Sequence, residues 1–358
     1  MLKDFFASLY LTLHPTCGNR LPRHTSSTIA IMPGPYDTTT TADELVHDYA
    51  NLIKNKVVLV TGVSPGSLGG FFVQTLAKAK PACLILAARN AEKLQKTAGE
   101  IATAHPDVQI RTVQVDLGSL KSARNAAAQV NAWDDILAID VLVNNAGIMA
   151  VEHQVSPDGF ESQLATNHLG PFLFTNLIMN KILAAESPRV VSVSSDGHRL
   201  NPFRFDDYNF DEGKSYNKWF AYGQSKTANM LMAISLAEKL GPKHKLLAFS
   251  LHPGVIWTNL SNHLDGNVAF DGLRAADKAL GNREGWAEFN VKPLERGVAT
   301  HIYASFDPDL EAYNGAYLLD SHVSDPLLDT VKPWATSRFE AERLWKLSEK
   351  LVGEEFLY

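Results

Sequence analysis

The fold is decided by one stretch of this 358-residue chain: Val57-Val58-Leu59-Val60-Thr61-Gly62-Val63-Ser64-Pro65-Gly66-Ser67-Leu68-Gly69. Its first four residues form a continuous apolar run, which predicts a strand covered on both faces in a parallel sheet. The glycines that follow allow a tight turn and let the backbone approach a pyrophosphate at the N-terminus of the next helix, expected over about 70–79. A glycine loop alone also fits a simple tight turn. Its position after a buried strand favours a dinucleotide site.

Strands and helices alternate through the rest of the chain. Further strands are predicted at 83–88, 109–115, 140–143, 189–194, 246–251 and 316–319. Further helices are predicted at 43–52, 91–104, 119–133, 159–185, from the region of Tyr222 to Leu240 with a stop at Gly241-Pro242, and at 337–351. This alternation predicts an α/β fold with a doubly wound parallel sheet and flanking helices in a single domain.

Three segments are expected in that organisation: an N-terminal extension at 1–50 that is partly disordered, the sheet domain at 51–325, and a C-terminal helical extension of the same domain at 326–358. The apolar run 5–13 is too short to span a bilayer, so no transmembrane segment is expected. A cytoplasmic location is expected. Organelle targeting by residues 1–30 stays open, because Lys3, Arg20 and Arg23 favour it and Asp4 opposes it.

Composition narrows the class of protein. Hydrophobic residues make up 45% and charged residues 20% of the chain, which is typical of a globular protein with a substantial core. The net charge of −6 gives no reason to expect nucleic acid as a partner. The two cysteines, Cys17 and Cys83, form no disulfide or metal-ligand pattern, so a reducing compartment and no metal are expected.

Chemistry is suggested by Tyr222-Gly223-Gln224-Ser225-Lys226, at the start of an apolar-striped helix. Residues four apart lie on the same helix face, one turn from each other. A phenol has an ordinary pKa near 10, and an ammonium group one turn away lowers it toward neutrality, where tyrosine can act as an acid and a base. By itself the pair also fits a chance surface Tyr-x-x-x-Lys.

With its companions, the motif resembles the short-chain dehydrogenase/reductase family over about 55–320. The matching motifs are the glycine loop at Thr61, Gly62, Gly66 and Gly69, the run Asn144-Asn145-Ala146-Gly147, Asn167 in Thr166-Asn167-His168-Leu169-Gly170, Ser195 after the fifth strand, and Pro253-Gly254 with Thr258. The chain is most similar to the retinol dehydrogenase and WW-domain oxidoreductase branch, without a WW domain. It departs from the family by one extra residue before the last loop glycine. Tyr222 also lies 27 residues after Ser195, which is farther than usual, so the loop 196–219 is expected to fold back over the site.

The resemblance implies a Rossmann-type fold and hydride transfer between a nicotinamide cofactor and an alcohol or carbonyl group. Tyr222 would donate or accept the proton, Ser195 would hydrogen-bond the same oxygen, Lys226 would hold the nicotinamide ribose and lower the tyrosine pKa, and Asn167 would support a water chain. The residues expected to bind cofactor are Thr61, Gly62, Ser64, Gly66, Leu68, Gly69, Arg89, Asp116, Asn144, Ala146, Gly147, Tyr222, Lys226, Pro253, Gly254, Val255 and Thr258.

The end of the second strand indicates which cofactor is used. Enzymes that prefer NAD usually place an acidic residue there, on the adenosine ribose. This chain has Ala87-Ala88-Arg89-Asn90, with a cation and no carboxylate. Arg89 can pair with a 2′-phosphate, although an arginine on the surface at a strand end is the plainer interpretation. NADP(H) is therefore the predicted cofactor, with Asp116 on the adenine amino group by resemblance.

The substrate is expected to be a small apolar or aromatic alcohol or carbonyl compound. The segment 259–286 and the aromatic residues Phe203, Phe205, Tyr208 and Phe210 are predicted to border its pocket. His198 and His252 are expected to be structural. Two alternatives remain, a catalytically silent NADP-binding scaffold and an isomerase or dehydratase of the sugar-nucleotide type. A monomer or a homodimer is expected.

Overall fold

One sheet forms the centre of the fold in the computed structural model, which describes residues 35–264 and 266–358. In those residues the sheet has eight strands in the order β3-β2-β1-β4-β5-β6-β7-β8. Their bounds are β1 Val57–Thr61, β2 Cys83–Ala88, β3 Gln109–Gln114, β4 Val141–Asn144, β5 Arg189–Val193, β6 Leu247–His252, β7 Tyr317–Leu319 and β8 His322–Val323. The first seven are parallel. β8 was not predicted. It pairs antiparallel with β7 through a turn whose two residues, Asp320 and Ser321, both have positive φ.

Helices cover both faces of this sheet. Their bounds are α1 Ala42–Asp48, α2 Ala50–Ile53, α3 Leu68–Ala77, α4 Ala91–Ala104, α5 Leu120–Asn131, α6 Ser162–Leu164, α7 Gly170–Leu177, α8 Met179–Leu183, α9 Lys218–His244, α10 Gly266–Leu280, α11 Leu294–Gly297, α12 Ala299–Phe306 and α13 Arg338–Val352. Short 3-10 turns include Asp196–Leu200 after β5 and Asn259–Ser261 after β6.

The strands are apolar on both sides because each side meets a helical layer. Leu59 of β1 belongs to one core cluster with residues of α5, α7, α9 and α13, whereas its neighbours Val58 and Val60 belong to a second cluster with residues of α1, α3, α4 and α12. Successive side chains of a strand point to opposite faces, so the unbroken apolar run of β1 fills two core layers. The predicted α/β fold with a parallel, Rossmann-type sheet is confirmed.

Several predicted helix bounds were wrong. The helix expected at 159–185 is divided into α6, a π-helical turn Ala165–Leu169, α7 and α8. Pro171 cannot donate a backbone hydrogen bond, and the wider turn before it accommodates this loss. α9 continues past Gly241-Pro242 to His244, because Lys245 takes the left-handed conformation and its N–H donates to the Gly241 carbonyl. α3 begins at Leu68, two residues early, because Ser67 caps it.

Both ends of the described chain pack onto the same compact unit as the sheet. The helix expected at 43–52 is divided at Tyr49 into α1 and α2, whose Leu45 and Ile53 are fully buried. At the other end, α13 lies on α9, where the Ser235 hydroxyl donates to the Ala341 carbonyl at 2.9 Å. Within the described residues, no helix is both long and apolar enough to cross a bilayer. The structure of residues 1–34, where the disordered extension and the weak targeting signal were predicted, lies outside this description.

Candidate active site

A cavity of about 560 Å³ opens where β1, β4, β5 and β6 end. In doubly wound sheets, ligands bind at the carboxyl ends of the strands, where the strand order reverses. The order here reverses between β1 and β4. Fifteen of the predicted site residues line the cavity: Thr61, Gly62, Ser64, Leu68, Arg89, Asp116, Ala146, Gly147, Ser195, Tyr222, Lys226, Pro253, Gly254, Val255 and Thr258.

The glycine loop is tied to the loop after β4. The Thr61 hydroxyl accepts hydrogen bonds from the N–H groups of Asn145 at 3.1 Å and Ala146 at 3.0 Å. In return, Nδ2 of Asn145 donates to the carbonyls of Thr61 at 2.8 Å and Gly62 at 3.2 Å. Asn145 lines the cavity, although it was predicted only as part of the matching run 144–147 and not among the residues expected to bind cofactor. These hydrogen bonds fix the glycine loop and the loop after β4 to each other, and the two loops together form one wall of the cavity.

Four of the predicted site residues do not line the cavity. Gly66 is exposed at the tip of the glycine loop, with a φ of +72°. Asn144 lies behind the wall, where its Nδ2 donates to the Thr175 hydroxyl at 2.9 Å. The side chain of Asn144 therefore supports α7, and the adjacent Asn145 is the one that faces the cavity. Gly69 and Asn167 lie just behind the wall and shape it.

Gly69 is the point where α3 touches the loops. A Cβ at this position would lie 2.4 Å from Nδ2 of Asn145 and 2.7 Å from the Gly62 carbonyl oxygen. No side chain therefore fits here. The extra residue before the last loop glycine is Leu68. Because α3 starts at Leu68, Gly69 lies in the first turn of the helix and keeps its close contact with the two loops.

Gly69→Ala is expected to destabilise the protein by about 1–3 kcal/mol, since the added methyl group must displace backbone. Gly99→Ala in α4 is the matched control. Nothing lies within 4 Å of its Cβ position, and alanine favours a helix interior, so this variant should gain about 0.5–1 kcal/mol. Urea unfolding of the two variants measures both changes, and a loss at Gly99 as large as at Gly69 would contradict the close contact.

Tyr222 and Ser195 face each other at the inner end of the cavity. Tyr222 lies one turn into α9, whose N-terminus is capped by the Asn217 side chain, and it is 6% exposed. The Ser195 hydroxyl accepts from the Gly197 N–H at 3.0 Å. A Cβ on Gly197 would lie 2.8 Å from the tyrosine ring, so only glycine lets the turn pass this close. Burial raises the pKa of Tyr222, and the Ser195 hydroxyl lowers it.

Lys226 lies beside the tyrosine as the helical spacing predicted. Its Nζ is 5.5 Å from the centre of the Tyr222 ring and donates to the Val193 carbonyl at 3.0 Å. Burial lowers the pKa of Lys226 to about 8. The expected lowering of the tyrosine pKa by this lysine is not found here. The pKa of Tyr222 is raised instead, because burial of the phenol outweighs its neighbours.

Asn167 occupies the π-helical turn, which turns its amide toward the loop after β4. Its Oδ1 accepts from the Ile148 N–H at 2.8 Å, and its Nδ2 donates to the Ile148 carbonyl and to the Ser225 hydroxyl, both at 2.9 Å. Gly147 lies between this amide and Lys226. Asn167 thus joins the loop to α9 directly behind the lysine.

Lys226→Met is expected to stabilise the protein by about 1–3 kcal/mol at pH 7, since a unit of pKa corresponds to about 1.4 kcal/mol. Below pH 8 the folded protein carries this buried charge at a cost. As pH rises from 8 toward the ordinary lysine value near 10.5, the folded state has lost the proton and the unfolded state still binds it, so wild-type stability rises. The difference in unfolding free energy between the wild type and Lys226→Met should therefore be smaller at pH 10 than at pH 7. A gap that widens with pH would contradict this sign.

The opposite end of the cavity carries cations. Arg89 follows β2 and is exposed, and Lys93 lies in the first turn of α4 and lines the same end of the cavity. Asn90 caps α4 by accepting from the Lys93 N–H at 2.8 Å. Lys93 was missed from the sequence. Asn90 is a typical helix-capping residue and could have indicated that Lys93, three residues later, lies in the first helical turn, close to Arg89. Asp116 also lies at this end, where its Oδ1 accepts from the Gly118 N–H at 3.0 Å.

Aromatic residues of α9, α10 and the adjoining loops form the third wall. Phe270 of α10 packs edge-on against Trp257 and Phe289, with ring centres 5.5 and 5.3 Å apart, and Trp219 lies 6.2 Å away. Residues of the predicted segment 259–286 line the cavity as expected. This wall is largely apolar.

The predicted aromatic loop lies away from the cavity, so that expectation was wrong. Phe203 and Phe205 pack into the core beneath α13, where the Arg343 guanidinium lies 3.9 Å from the ring centre of Phe205. Phe210 is fully buried beneath Arg204. Tyr208 likewise packs against the core, beside Phe160. Of the loop 196–219, which was expected to fold over the site, the two ends line the cavity, at 196–200 and at Trp219, and the aromatic middle does not.

The two histidines near the site differ in their contacts. His198 is fully buried, with Nδ1 2.8 Å from the Ser195 carbonyl and Nε2 accepting from the Lys332 N–H at 3.2 Å. Burial lowers its pKa to about 4, so a structural role fits it. His252 lines the cavity and lies 3.8 Å from Asp196. Among the described residues, no group of three His, Cys, Asp or Glu side chains is placed to hold a metal ion.

The fold and this site define an α/β protein of the dehydrogenase type, and comparisons with known proteins agree. Residues 56–209 match the family described as short chain dehydrogenase. The chain is 34% identical to the chloroplastic short-chain dehydrogenase TIC 32 B of Brassica napus, over 88% of this chain and 94% of that protein. It is 34% identical to retinol dehydrogenase 14 of Mus musculus, over 84% and 87%. A crystal structure of an uncharacterised protein from Mycobacterium Paratuberculosis matches with a TM-score of 0.62 and 28% identity, over 86% and 96%.

This chain belongs to the short-chain dehydrogenase/reductase family. Its similarity to the retinol dehydrogenase branch, expected from the motifs, is confirmed. The family makes it an oxidoreductase.

Proposed function

We propose that this oxidoreductase transfers a hydride between NADP(H) and an alcohol or carbonyl group of a small apolar or aromatic substrate. The observation that carries the proposal is that Ser195, Tyr222 and Lys226 line the same cavity as the glycine loop. The nicotinamide cofactor supplies or accepts the hydride. The residues fit such a group, because Gly62 and Gly69, where a Cβ would lie 2.7 Å or less from the neighbouring loop, let the glycine loop and the loop after β4 pack into one wall with exposed backbone.

The protein side of the reaction is proton transfer. Reduction builds negative charge on the carbonyl oxygen, which needs a proton donor and a second hydrogen bond. Tyr222 supplies the proton and accepts it in the reverse direction, while Ser195 orients the same oxygen. Lys226 holds the ribose and lies next to the phenol. Asn167 holds Ile148 and Ser225 in place near the lysine through its hydrogen bonds to both, and we retain its predicted link to a water chain.

NADP(H) rather than NAD(H) is favoured by charge at the adenosine end of the cavity. Arg89 and Lys93 are exposed there, and both line the cavity. The sequence at the end of β2 offers no carboxylate to accept from an adenosine ribose. A guanidinium group and an ammonium group are the usual partners of a 2′-phosphate.

Arg89→Ala is expected to weaken NADP(H) binding by about 10- to 100-fold and to leave NAD(H) binding nearly unchanged. A charge-assisted contact is worth about 1.5–3 kcal/mol, and about 1.4 kcal/mol is a factor of ten. Fluorescence titration with both cofactors measures the effect. Lys96→Ala removes a cation from the exposed face of α4 and is the control. Equal losses for both cofactors in the Arg89 variant would show that the arginine acts on the adenosine and not on the phosphate.

The most direct test of the function is a panel of alcohols and carbonyl compounds followed at the NADPH absorbance band, with both cofactors. Cofactor binding without turnover over the whole panel would instead favour a silent scaffold. Product formation with no net change in the cofactor would favour an isomerase or dehydratase. We retain the expected cytoplasmic location. We also retain the expected monomer or homodimer, and gel filtration with light scattering tells these two states apart.

A further inference from the structure

Two polar side chains lie beside Ser195 on the cavity wall. β5 and β6 are neighbouring parallel strands in which Val193 pairs with Leu251, so the residues at their carboxyl ends emerge side by side. Asp196 follows β5 and His252 is the last residue of β6, and both line the cavity. A carboxylate and an imidazole therefore lie next to the oxygen that Ser195 is proposed to bind.

The carboxylate of Asp196 is charged and only partly paired. Its Oδ2 lies 2.7 Å from Nη1 of the buried Arg199, and its side chain is 32% exposed. Burial alone would raise the pKa of Asp196, but Arg199, the nearby histidines and the Ser195 hydroxyl lower it to about 2. Within the described chain, Oδ1 accepts one hydrogen bond, a long one of 3.2 Å from the Ser195 hydroxyl.

The proposed reaction takes this one donor away from Asp196. A serine hydroxyl carries a single proton. When Ser195 donates that proton to the reacting oxygen, Oδ1 of Asp196 becomes a charged acceptor without a donor on the cavity wall. An unpaired charge in a largely buried place is unfavourable. Oδ1 therefore favours a substrate that brings a second donor next to the reacting oxygen.

His252 adds a second group to this place. Burial lowers the pKa of His252, so its imidazole is neutral at pH 7. Its Nδ1 has no hydrogen-bond partner among the described residues, and its Nε2 lies 3.8 Å from Oδ1 of Asp196, too far for a hydrogen bond. The negative charge beside Nε2 favours the tautomer with its proton there. A hydroxyl can donate to the carboxylate and accept from this imidazole, whereas an ammonium group can only donate.

We propose that Asp196 and His252 bind a second hydroxyl of the substrate, on the carbon next to the reacting carbon. The inference rests on the proposed function and narrows its substrate class to α-hydroxy ketones, or the matching vicinal diols, with an aromatic or other apolar group. In reduction, the carbonyl carbon receives a hydride from NADPH and its oxygen receives the proton of Tyr222, which converts the hydroxy ketone into the diol. Ser195 can bond both the reacting oxygen and Oδ1, so these atoms lie about 4–6 Å apart, a distance that a hydroxyl on the adjacent carbon bridges.

Acetophenone, α-hydroxyacetophenone and α-methoxyacetophenone test the proposal in the wild-type protein with NADPH. The methoxy compound keeps the second oxygen and its pull on the carbonyl electrons, but it has no proton to donate. We expect kcat/KM for the hydroxy compound to exceed that for the methoxy compound and for acetophenone by about 10- to 100-fold, the usual effect of a hydrogen bond to a charged partner. A hydroxy-to-methoxy ratio of one or less would overturn the inference.

Asp196→Asn gives the sharper comparison, because Arg199 fixes how the new amide turns. The amide oxygen faces the guanidinium, so the NH₂ group replaces Oδ1 and an acceptor becomes a donor. The hydroxy-to-methoxy ratio should therefore fall by about tenfold or more, whatever the substitution does to the rate itself. A merely structural effect would lower both rates and preserve the ratio. Asp206→Asn, at a fully exposed side chain, is the control and should preserve it too.

His252→Phe tests the other member of the pair and does not depend on the folding of the Asp196 variant. The phenyl ring takes the place of the imidazole and has no N–H group. The hydroxy-to-methoxy ratio should fall by about 2- to 10-fold, the range of a neutral hydrogen bond. A ratio equal to that of the wild type in both Asp196→Asn and His252→Phe would refute the subsite.

A binding measurement separates this inference from the proposed reaction. Isothermal titration of the wild-type complex with NADP⁺ compares 1-phenylethane-1,2-diol with 1-phenylethanol and needs no turnover. We expect the diol to bind about tenfold or more tightly, because it alone carries the second hydroxyl. Absence of turnover over the whole panel would count against the proposed function, and the titration would still decide the subsite. A diol that binds no more tightly than 1-phenylethanol would overturn the inference.

Discussion

Tyr222→Phe is expected to lower kcat by about 10²- to 10⁴-fold, the usual contribution of a positioned acid or base. The substitution removes only the phenol oxygen. The ring that packs against Gly197 and lies beside Lys226 remains, so the walls of the cavity keep their shape. NADP(H) affinity should therefore change by less than about twofold.

Steady-state rates with the best substrate of the panel, together with a fluorescence titration of NADPH, measure the two effects. Tyr313→Phe, at a half-buried tyrosine outside the cavity, is the matched control and should retain activity. Substantial residual turnover in Tyr222→Phe would refute the assignment of the acid and base. Loss of NADPH binding in the same variant would show that the phenol supports the cavity instead.

Arg199→Met is expected to destabilise the protein by about 3–5 kcal/mol. Nε and Nη2 of the buried Arg199 donate to the two carboxylate oxygens of Asp277 in α10, at 2.9 and 2.8 Å. Removing one partner of a buried ion pair leaves the other charge without compensation, and Asp277 is 1% exposed. Asp196, whose Oδ2 lies 2.7 Å from Nη1 of Arg199, loses its partner as well.

Two companion variants make this prediction specific. Arg199→Met combined with Asp277→Leu removes both buried charges and should recover much of the lost stability. Arg338→Met removes an arginine that is 84% exposed and pairs with Glu238 at the surface, so it should change stability by less than about 0.5 kcal/mol. Urea unfolding of the four proteins gives the comparison. Equal effects of Arg199→Met and Arg338→Met would contradict the importance of burial.

The sequence predicted those features that local physics determines. The run Val57–Val60 specified a doubly covered strand, and the glycines after it specified the turn, because both depend on neighbouring residues. The helical spacing of Tyr222 and Lys226 likewise placed them side by side. The doubly wound parallel sheet followed from the alternation of strands and helices.

Features that depend on distant partners were missed. The π-helical turn at Asn167 depends on how the chain meets Pro171 and the loop after β4. The pairing of Arg199 with Asp277 joins residues far apart in sequence, and neither residue carries a local signal. Aromatic residues of 203–210 were assigned to the cavity because apolarity does not show whether a side chain enters a core or a binding site. The pKa of Tyr222 was misjudged for a similar reason, since its burial is a property of the whole fold.

The contact between α9 and α13 has a consequence for the order in which the protein is made. α9 presents Tyr222 and Lys226 to the cavity, and α13 covers another side of the same helix, with the hydroxyl of Ser235 bonded to the carbonyl of Ala341. Trp345 and Ser348 of α13 also contact Phe172 and His168 near the π-helical turn. During synthesis, Tyr222 and Lys226 leave the ribosome long before α13 does, and contacts of such sequence separation form late. The nascent chain therefore carries an incompletely covered α9 until α13 is free of the exit tunnel.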